Sequence, residues 1–152
     1  MKAVIQRIYV KLKRRLADMD DCIFCKLANG DIPTNTIYED DDFRVFLDAG
    51  PATKGHCLIV PKNHFDNLET LDDDVASAVM PLAKKIMKLL KEKLSWDGFN
   101  VVQNNGEVAG QTVFHFHTHL IPRYKNDGQK ILWKPGEPTD EELKALCKTI
   151  VS

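Results

Sequence analysis

Three of the chain's five histidines recur at a spacing of two, in His115-Phe116-His117-Thr118-His119. The surrounding run from Val113 to Ile121 is apolar and β-branched, lies between Gly110 and Pro122, and predicts a β-strand. Side chains alternate along a strand, so the three imidazoles should line one face and Phe114, Phe116, Thr118 and Leu120 the other. An apolar face suits a core, whereas a row of imidazoles points to chemistry. In a strand His115 and His119 stand about 13 Å apart. One metal, with bonds to nitrogen of about 2.0–2.1 Å, cannot reach both. A division of labour follows, with an end histidine for a metal and the others for a substrate.

A zinc ion needs further donors. Cys22-Ile23-Phe24-Cys25 has the spacing with which two thiolates grip one ion from a tight turn. With His64 and His115 it makes a two-cysteine, two-histidine set, a closed structural site and not a catalytic one. The alternative is that the two cysteines are small buried hydrophobes beside Ile23 and Phe24. Cys57 and Cys147 are expected as core or surface residues. His117, in the middle, is the natural nucleophile. A neutral imidazole attacks phosphorus well, and phosphohistidine is labile enough for displacement by water. The preceding loop has what a phosphate requires: Asn104, Gly106, Gly110, Gln111 and Thr112 offer amide, hydroxyl and unhindered backbone N–H donors. His119 can contact a phosphate oxygen or protonate a leaving group.

The elements that must hold these groups can be read from periodicity and turn residues. Strands are predicted over residues 36–39, 43–47, 56–60 and 98–103, the first pair joined at Asp40-Asp41-Asp42. Cys22 to Leu27 predicts a turn or two of helix. Leu71 to Leu94 predicts a long amphipathic helix, capped by Thr70 and Asp73. Pro81 is expected to bend it or divide it in two, and Lys84, Lys85, Lys88, Lys91 and Lys93 to form its solvated face. Thr139-Asp140-Glu141-Glu142 is a capping box opening a last helix to about Ile150. Strands in hairpin order around one long helix predict an α+β domain with an antiparallel sheet.

The bulk numbers bound the possibilities. The 152 residues, 43% hydrophobic, fit one domain with a core of its own. A net charge of −1 argues against a generic nucleic-acid binder, and no apolar run approaches a transmembrane span. Four cysteines without a signal peptide predict a reduced, cytoplasmic protein. Residues 1–19 form a basic extension with apolar residues at helical spacing. It is either a simple exposed extension or a membrane-surface or targeting helix. The domain proper is expected over residues 20–152, ending in a tail helix.

The histidine run, His-φ-His-φ-His-φ-φ with φ apolar, resembles the signature of the HIT (histidine triad) superfamily of nucleotide hydrolases and transferases. Similarity extends through Cys22-Ile-Phe-Cys25, Gly30-Asp-Ile-Pro33, Phe46-Leu-Asp48, Lys54-Gly-His56, Lys62-Asn-His64 and Asn104-Asn-Gly106 to Gly110-Gln-Thr-Val-Phe-His115. These look like the Hint, or protein-kinase-C-interacting, branch and its bacterial zinc-bearing members. The resemblance implies a five-stranded antiparallel sheet with one long helix and shorter flanking helices, and a homodimer. It implies that His117 forms a nucleotidyl-histidine and that His119 contacts the α-phosphate. Asp48 would bind the ribose hydroxyls, Phe46 would line the base pocket, and Asn104, Gly110 and Thr112 would contact phosphate, with Gln111 beside them and His56 flanking the site. Cys22, Cys25, His64 and His115 would bind structural zinc. Two departures stand out: Thr118 occupies an apolar position of the motif, and the segment from Lys130 onward is longer than in compact bacterial members.

The expected activity is hydrolysis of a purine nucleoside 5′-phosphoramidate or related nucleotidyl compound. The alternatives are a dinucleoside polyphosphate hydrolase, a non-catalytic nucleotide- or zinc-binding regulator, and an all-β metal-dependent enzyme with His115 and His117 as adjacent ligands and no nucleotide. His56 and His64 are expected to converge on one site with the triad.

Overall fold

The computed structural model describes residues 21–152; the basic extension expected over residues 1–19 lies outside the described residues. In chain order the elements are α1 (Ile23–Asn29), β1 (Thr36–Glu39), β2 (Phe43–Leu47), β3 (Cys57–Pro61), α2 (Asp73–Leu94), β4 (Gly98–Val102), a 3-10 turn (Glu107–Ala109), β5 (Thr118–Arg123) and α3 (Asp140–Val151). The strands form one antiparallel sheet in the order β1-β2-β3-β5-β4. This is the α+β architecture expected, with a five-stranded antiparallel sheet.

Alternation along β3 explains how the sheet is covered on both faces. Cys57 and Ile59 pack with Val45 and Leu120 against Val79, Leu82, Ile86 and Leu90 of α2. Leu58 and Val60, one residue out of phase, pack with Phe46 against Ala28, Phe24 and Leu27 of α1. Burying each such aliphatic side chain stabilises the fold by about 1.5–3 kcal/mol. The short helix therefore owns the second face, and the functional groups gather beside it.

Three expectations about elements need correction. Pro81 does not divide α2, which runs unbroken from Asp73 to Leu94; it lies on the exposed face, as does Ser77, whose carbonyl it cannot serve. Solvent can take that carbonyl instead. The helix begins at Asp72 without a side-chain cap, and the Thr70 hydroxyl bonds Asn67. Most consequentially, the histidine strand begins only at Thr118. Upstream, the backbone is held by groups outside the ladder: Phe116 N–H donates to the Phe65 carbonyl, and the Val113 carbonyl accepts from the Gln111 amide. The three imidazoles thus do not share one strand face. Phe116 does enter the core, whereas Phe114, expected beside it, is 52% exposed.

Two prolines sit at the limits of the β3–β5 ladder, which runs from Cys57 opposite Leu120 to Ile59 opposite Thr118. Pro61 turns its carbonyl to His115, and Pro122 turns its carbonyl to the Thr53 hydroxyl. Each has its missing N–H on the side where the ladder has stopped, so neither loses a bond. The C-terminal α3 carries the expected capping box between Thr139 and Glu142. It is exposed along its length, with Leu143, Leu146 and Ile150 on its surface.

Candidate functional site

Four of the predicted donors meet where α1 abuts the segment before β5. His115 Nδ1 lies 3.5 Å from Cys22 Sγ and 3.4 Å from Cys25 Sγ, and His64 Nδ1 lies 3.3 Å from Cys25 Sγ. With zinc–sulfur bonds of about 2.3 Å and zinc–nitrogen bonds of about 2.0–2.1 Å, tetrahedral geometry places sulfur and nitrogen about 3.5 Å apart. The tautomers fit as well. His115 Nε2–H must donate to the Pro61 carbonyl, 2.9 Å away, which leaves Nδ1 a bare lone pair. His64 Nε2 faces Asp66 Oδ1 at 3.0 Å, the carboxylate support that orients many metal-binding histidines. Burial, with Cys22 alongside, pushes the Cys25 thiol up to about 12, and burial holds His115 down at about 4. A bound cation would draw the thiol proton off. The residues present fit zinc.

Beside this cluster α1 and the sheet enclose a pocket of about 450 Å³ lined by Phe24, Leu27, Phe46, Asp48, Leu58, Thr112, His117 and His119, among others. Cross-strand pairing builds its floor: Phe46 lies opposite Leu58 and Leu58 opposite His119. Phe24 sets its ring edge-on to His117, with centroids 4.9 Å apart. Asp48 accepts from Gly50 N–H at 2.8 Å, and its second oxygen lies 3.5 Å from His56 Nε2.

Hydrogen bonds set the tautomer of each imidazole in the pocket. His117 Nδ1 is 2.7 Å from the carbonyl of His115, an acceptor only, so Nδ1 carries the proton and Nε2 is a free lone pair. Burial lowers the His117 pKa against the opposing pull of that carbonyl. Ala52 N–H donates to His56 Nδ1 at 3.0 Å, so neutral His56 carries its proton on Nε2. That N–H faces His119 Nδ1 at 3.0 Å, which leaves the His119 proton on Nε2. Burial lowers the His56 pKa against the opposing pull of Asp48. Burial, then His117 and His56, hold His119 down at about 4. One ring thus offers a lone pair and its neighbour an N–H.

Asp48, His56 and His119 are also close enough to share an ion. The Ala52 amide argues against it, since a metal would need the lone pair on His56 Nε2 that this bond fills with a proton. His56 and His64, expected to converge on one site, belong to two clusters joined by the backbone of residues 115–119.

The loop residues divide. Thr112 lines the pocket, and Asn104 Nδ2 donates to the Gly110 carbonyl at 3.4 Å. Gln111, expected among the phosphate donors, is buried, and its amide is occupied: Oε1 accepts from Gly106 N–H at 2.8 Å and Nε2 donates to the carbonyls of Asp66 and Val113. It braces the loop instead. Sequence reasoning missed Phe24, Leu27 and Leu58 as pocket walls and Ala52 as the group that sets a tautomer. Phe24 had a visible signal, an aromatic residue between two metal-type cysteines. The Ala52 amide had none.

Known proteins share the chain's sequence and fold. The HIT domain family model matches residues 29–126. Adenosine 5′-monophosphoramidase hnt1 of Schizosaccharomyces pombe is 39% identical over 86% of this chain and 96% of its own. Among solved structures, a HIT family protein from Bacillus anthracis aligns with a TM-score of 0.80 and 45% identity, covering 87% of this chain and 96% of that one. A zinc-bound histidine triad family protein from Mycobacterium smegmatis aligns with a TM-score of 0.70 and 33% identity, over 88% and 97%. In sequence and in fold, the chain belongs to the HIT family.

Proposed function

We propose that this HIT protein hydrolyses nucleoside 5′-phosphoramidates or closely related nucleotidyl compounds through a nucleotidyl-histidine. The observation that carries this is the pair of opposed tautomers, a bare Nε2 on His117 beside an Nε2–H on His119. The His117 lone pair bonds to the α-phosphorus as the bond to the leaving nitrogen breaks, and that nitrogen departs as the amine with a proton from solvent. His119 Nε2–H donates to a non-bridging oxygen as charge builds there. The phosphorylated His117 ring is cationic, so its Nδ1–H bond to the His115 carbonyl strengthens during attack, when it favours the transition state over the ground state. Water then adds to phosphorus, the bond to His117 breaks, and a nucleoside monophosphate and a proton are released.

The remaining roles follow from position. Phe46 and Leu58 would face the base and Asp48 the ribose diol, with Thr112, Asn104 and Gly110 toward the phosphate. Support for the substrate class comes from the S. pombe relative named a monophosphoramidase. Zinc on Cys22, Cys25, His64 and His115 would cross-link α1 to the sheet and take no part in the reaction; a zinc-bound neighbour supports it. No helix among the described residues is long and apolar enough to cross a membrane. Four free thiols fit a reducing, cytoplasmic setting. A homodimer joined through α2 and the sheet edge fits the exposed Met80 and Leu89 of α2 and Val101 of the edge strand β4.

The test is incubation with an adenosine phosphoramidate, with mass spectrometry for an adenylylated chain and turnover compared with that of a diadenosine polyphosphate. His117→Ala should lose the adduct and turnover while keeping nucleotide affinity. Unchanged turnover in that variant removes His117 as nucleophile. Faster cleavage of the polyphosphate moves the substrate class.

A further inference from the structure

Helix α1 belongs to the metal cluster and to the pocket at once. It has seven residues and no side-chain cap at its N-terminus, far below the length at which a helix is stable alone. Its C-terminal half is tied down by Asn29 Nδ2 bonding the Lys62 carbonyl at 3.0 Å and by Arg44 Nη1 bonding the Leu27 carbonyl at 3.1 Å. Its N-terminal half is tied through Cys22 and Cys25 to His64 and His115. Phe24 sits between those two thiols. Its ring is the pocket wall that meets His117, and it also meets Phe46, with centroids 6.4 Å apart.

We propose that metal occupancy at Cys22, Cys25, His64 and His115 controls nucleotide affinity, because the metal holds Phe24 in place as a wall of the nucleotide pocket. The proposal rests on the nucleotide reading of that pocket. Without the ion, two neutral thiols and two imidazoles hold the N-terminal half of α1 by weak hydrogen bonds, and Phe24 is free to leave His117 and Phe46. A nucleotide must then re-form the wall as it binds. Coupling of this kind is reciprocal: if zinc raises nucleotide affinity by some factor, the nucleotide raises zinc affinity by the same factor.

The experiment uses the full chain, zinc and AMP. AMP affinity is measured by calorimetry on zinc-loaded and chelator-stripped protein. Zinc affinity is measured against a chromophoric chelator with and without saturating AMP. Both factors should agree at about tenfold, within the usual range of such couplings. Phe24→Ala should retain zinc affinity, weaken AMP binding to the loaded protein and bring the coupling close to one. Equal AMP affinity in loaded and stripped protein overturns the coupling alone. Undiminished coupling in Phe24→Ala overturns Phe24 as its carrier. Loss of the cooperative thermal transition on stripping also overturns the proposal, since the metal then holds the whole fold and not one wall. AMP binding to neither form overturns the nucleotide reading and this proposal with it.

Discussion

Replacing His56 tests the tautomer chain at its least obvious link. In His56→Leu, His119 Nδ1 loses the donor 3.0 Å away, and Ala52 N–H loses its acceptor. A typical hydrogen bond contributes about 0.5–1.5 kcal/mol net, so turnover at pH 7 should fall about fivefold as the His119 N–H loses its fixed aim. The sharper effect is on protonation. His56 is one of the groups that hold His119 at about 4, and a donor on Nδ1 favours the neutral ring. Its removal should raise the His119 pKa. His56→Gln keeps an N–H near the position of Nε2 and should restore most of both effects. Long-range proton–nitrogen NMR of the imidazoles across pH, with turnover in parallel, reads all three proteins. If the glutamine and leucine variants match each other, or if wild-type His119 carries its proton on Nδ1, the chain of tautomers is refuted.

Gln111→Leu strips the acceptor from Gly106 N–H and the donor from two carbonyls. It should destabilise the chain by about 2–4 kcal/mol in urea unfolding, whereas a phosphate ligand would raise KM and leave stability alone. Gly55→Ala drives a Cβ into Leu94 Cδ1 at a φ of +86°, and should cost about 2 kcal/mol. Calorimetry should show that as a melting temperature lower by about 4–8 °C. Acid should weaken the fold through His119, whose native pKa of about 4 lies below its ordinary 6.5. The unfolded chain binds more protons in that window, so stability should fall as pH drops from 6.5 to 4, by up to about 1 kcal/mol per unit. Flat urea midpoints across that range would contradict this.

Much of the architecture was legible in the sequence because hydrophobic period and turn residues are local signals. β1 and β2 fall where alternation places them, and the capping box at Thr139 is formed with both of its bonds. The misplaced start of β5 shows where local signals stop. Val113 to His117 has strand composition, but its backbone answers to Phe65 and Gln111, far away or in a loop. The metal donors were legible from cysteine spacing. The division between His115 and the other two triad histidines was legible too; the placing of His64 and His56 in different clusters was not, because it depends on contacts between distant segments. Nor could spacing show that Gln111 would be taken up by backbone partners, or that a backbone amide at Ala52 would choose a proton's position on His56.

The two prolines bounding the β3–β5 ladder guard the alignment of the pocket. A one-residue slip of β5 would turn His119 from the pocket to the opposite face. A two-residue slide would keep the faces and so escape that penalty. Carrying Thr118 from Ile59 to Pro61, however, also carries Pro122 opposite Cys57. Both prolines would then stand inside the ladder, each without an N–H on the bonding edge, and Pro61 would have to give up its bond to His115. That misalignment would leave unpaired acceptors at both ends of the ladder, at about 1–3 kcal/mol each if buried. The prolines therefore work as an error check during assembly, excluding in one direction a slide that hydrophobic alternation cannot detect.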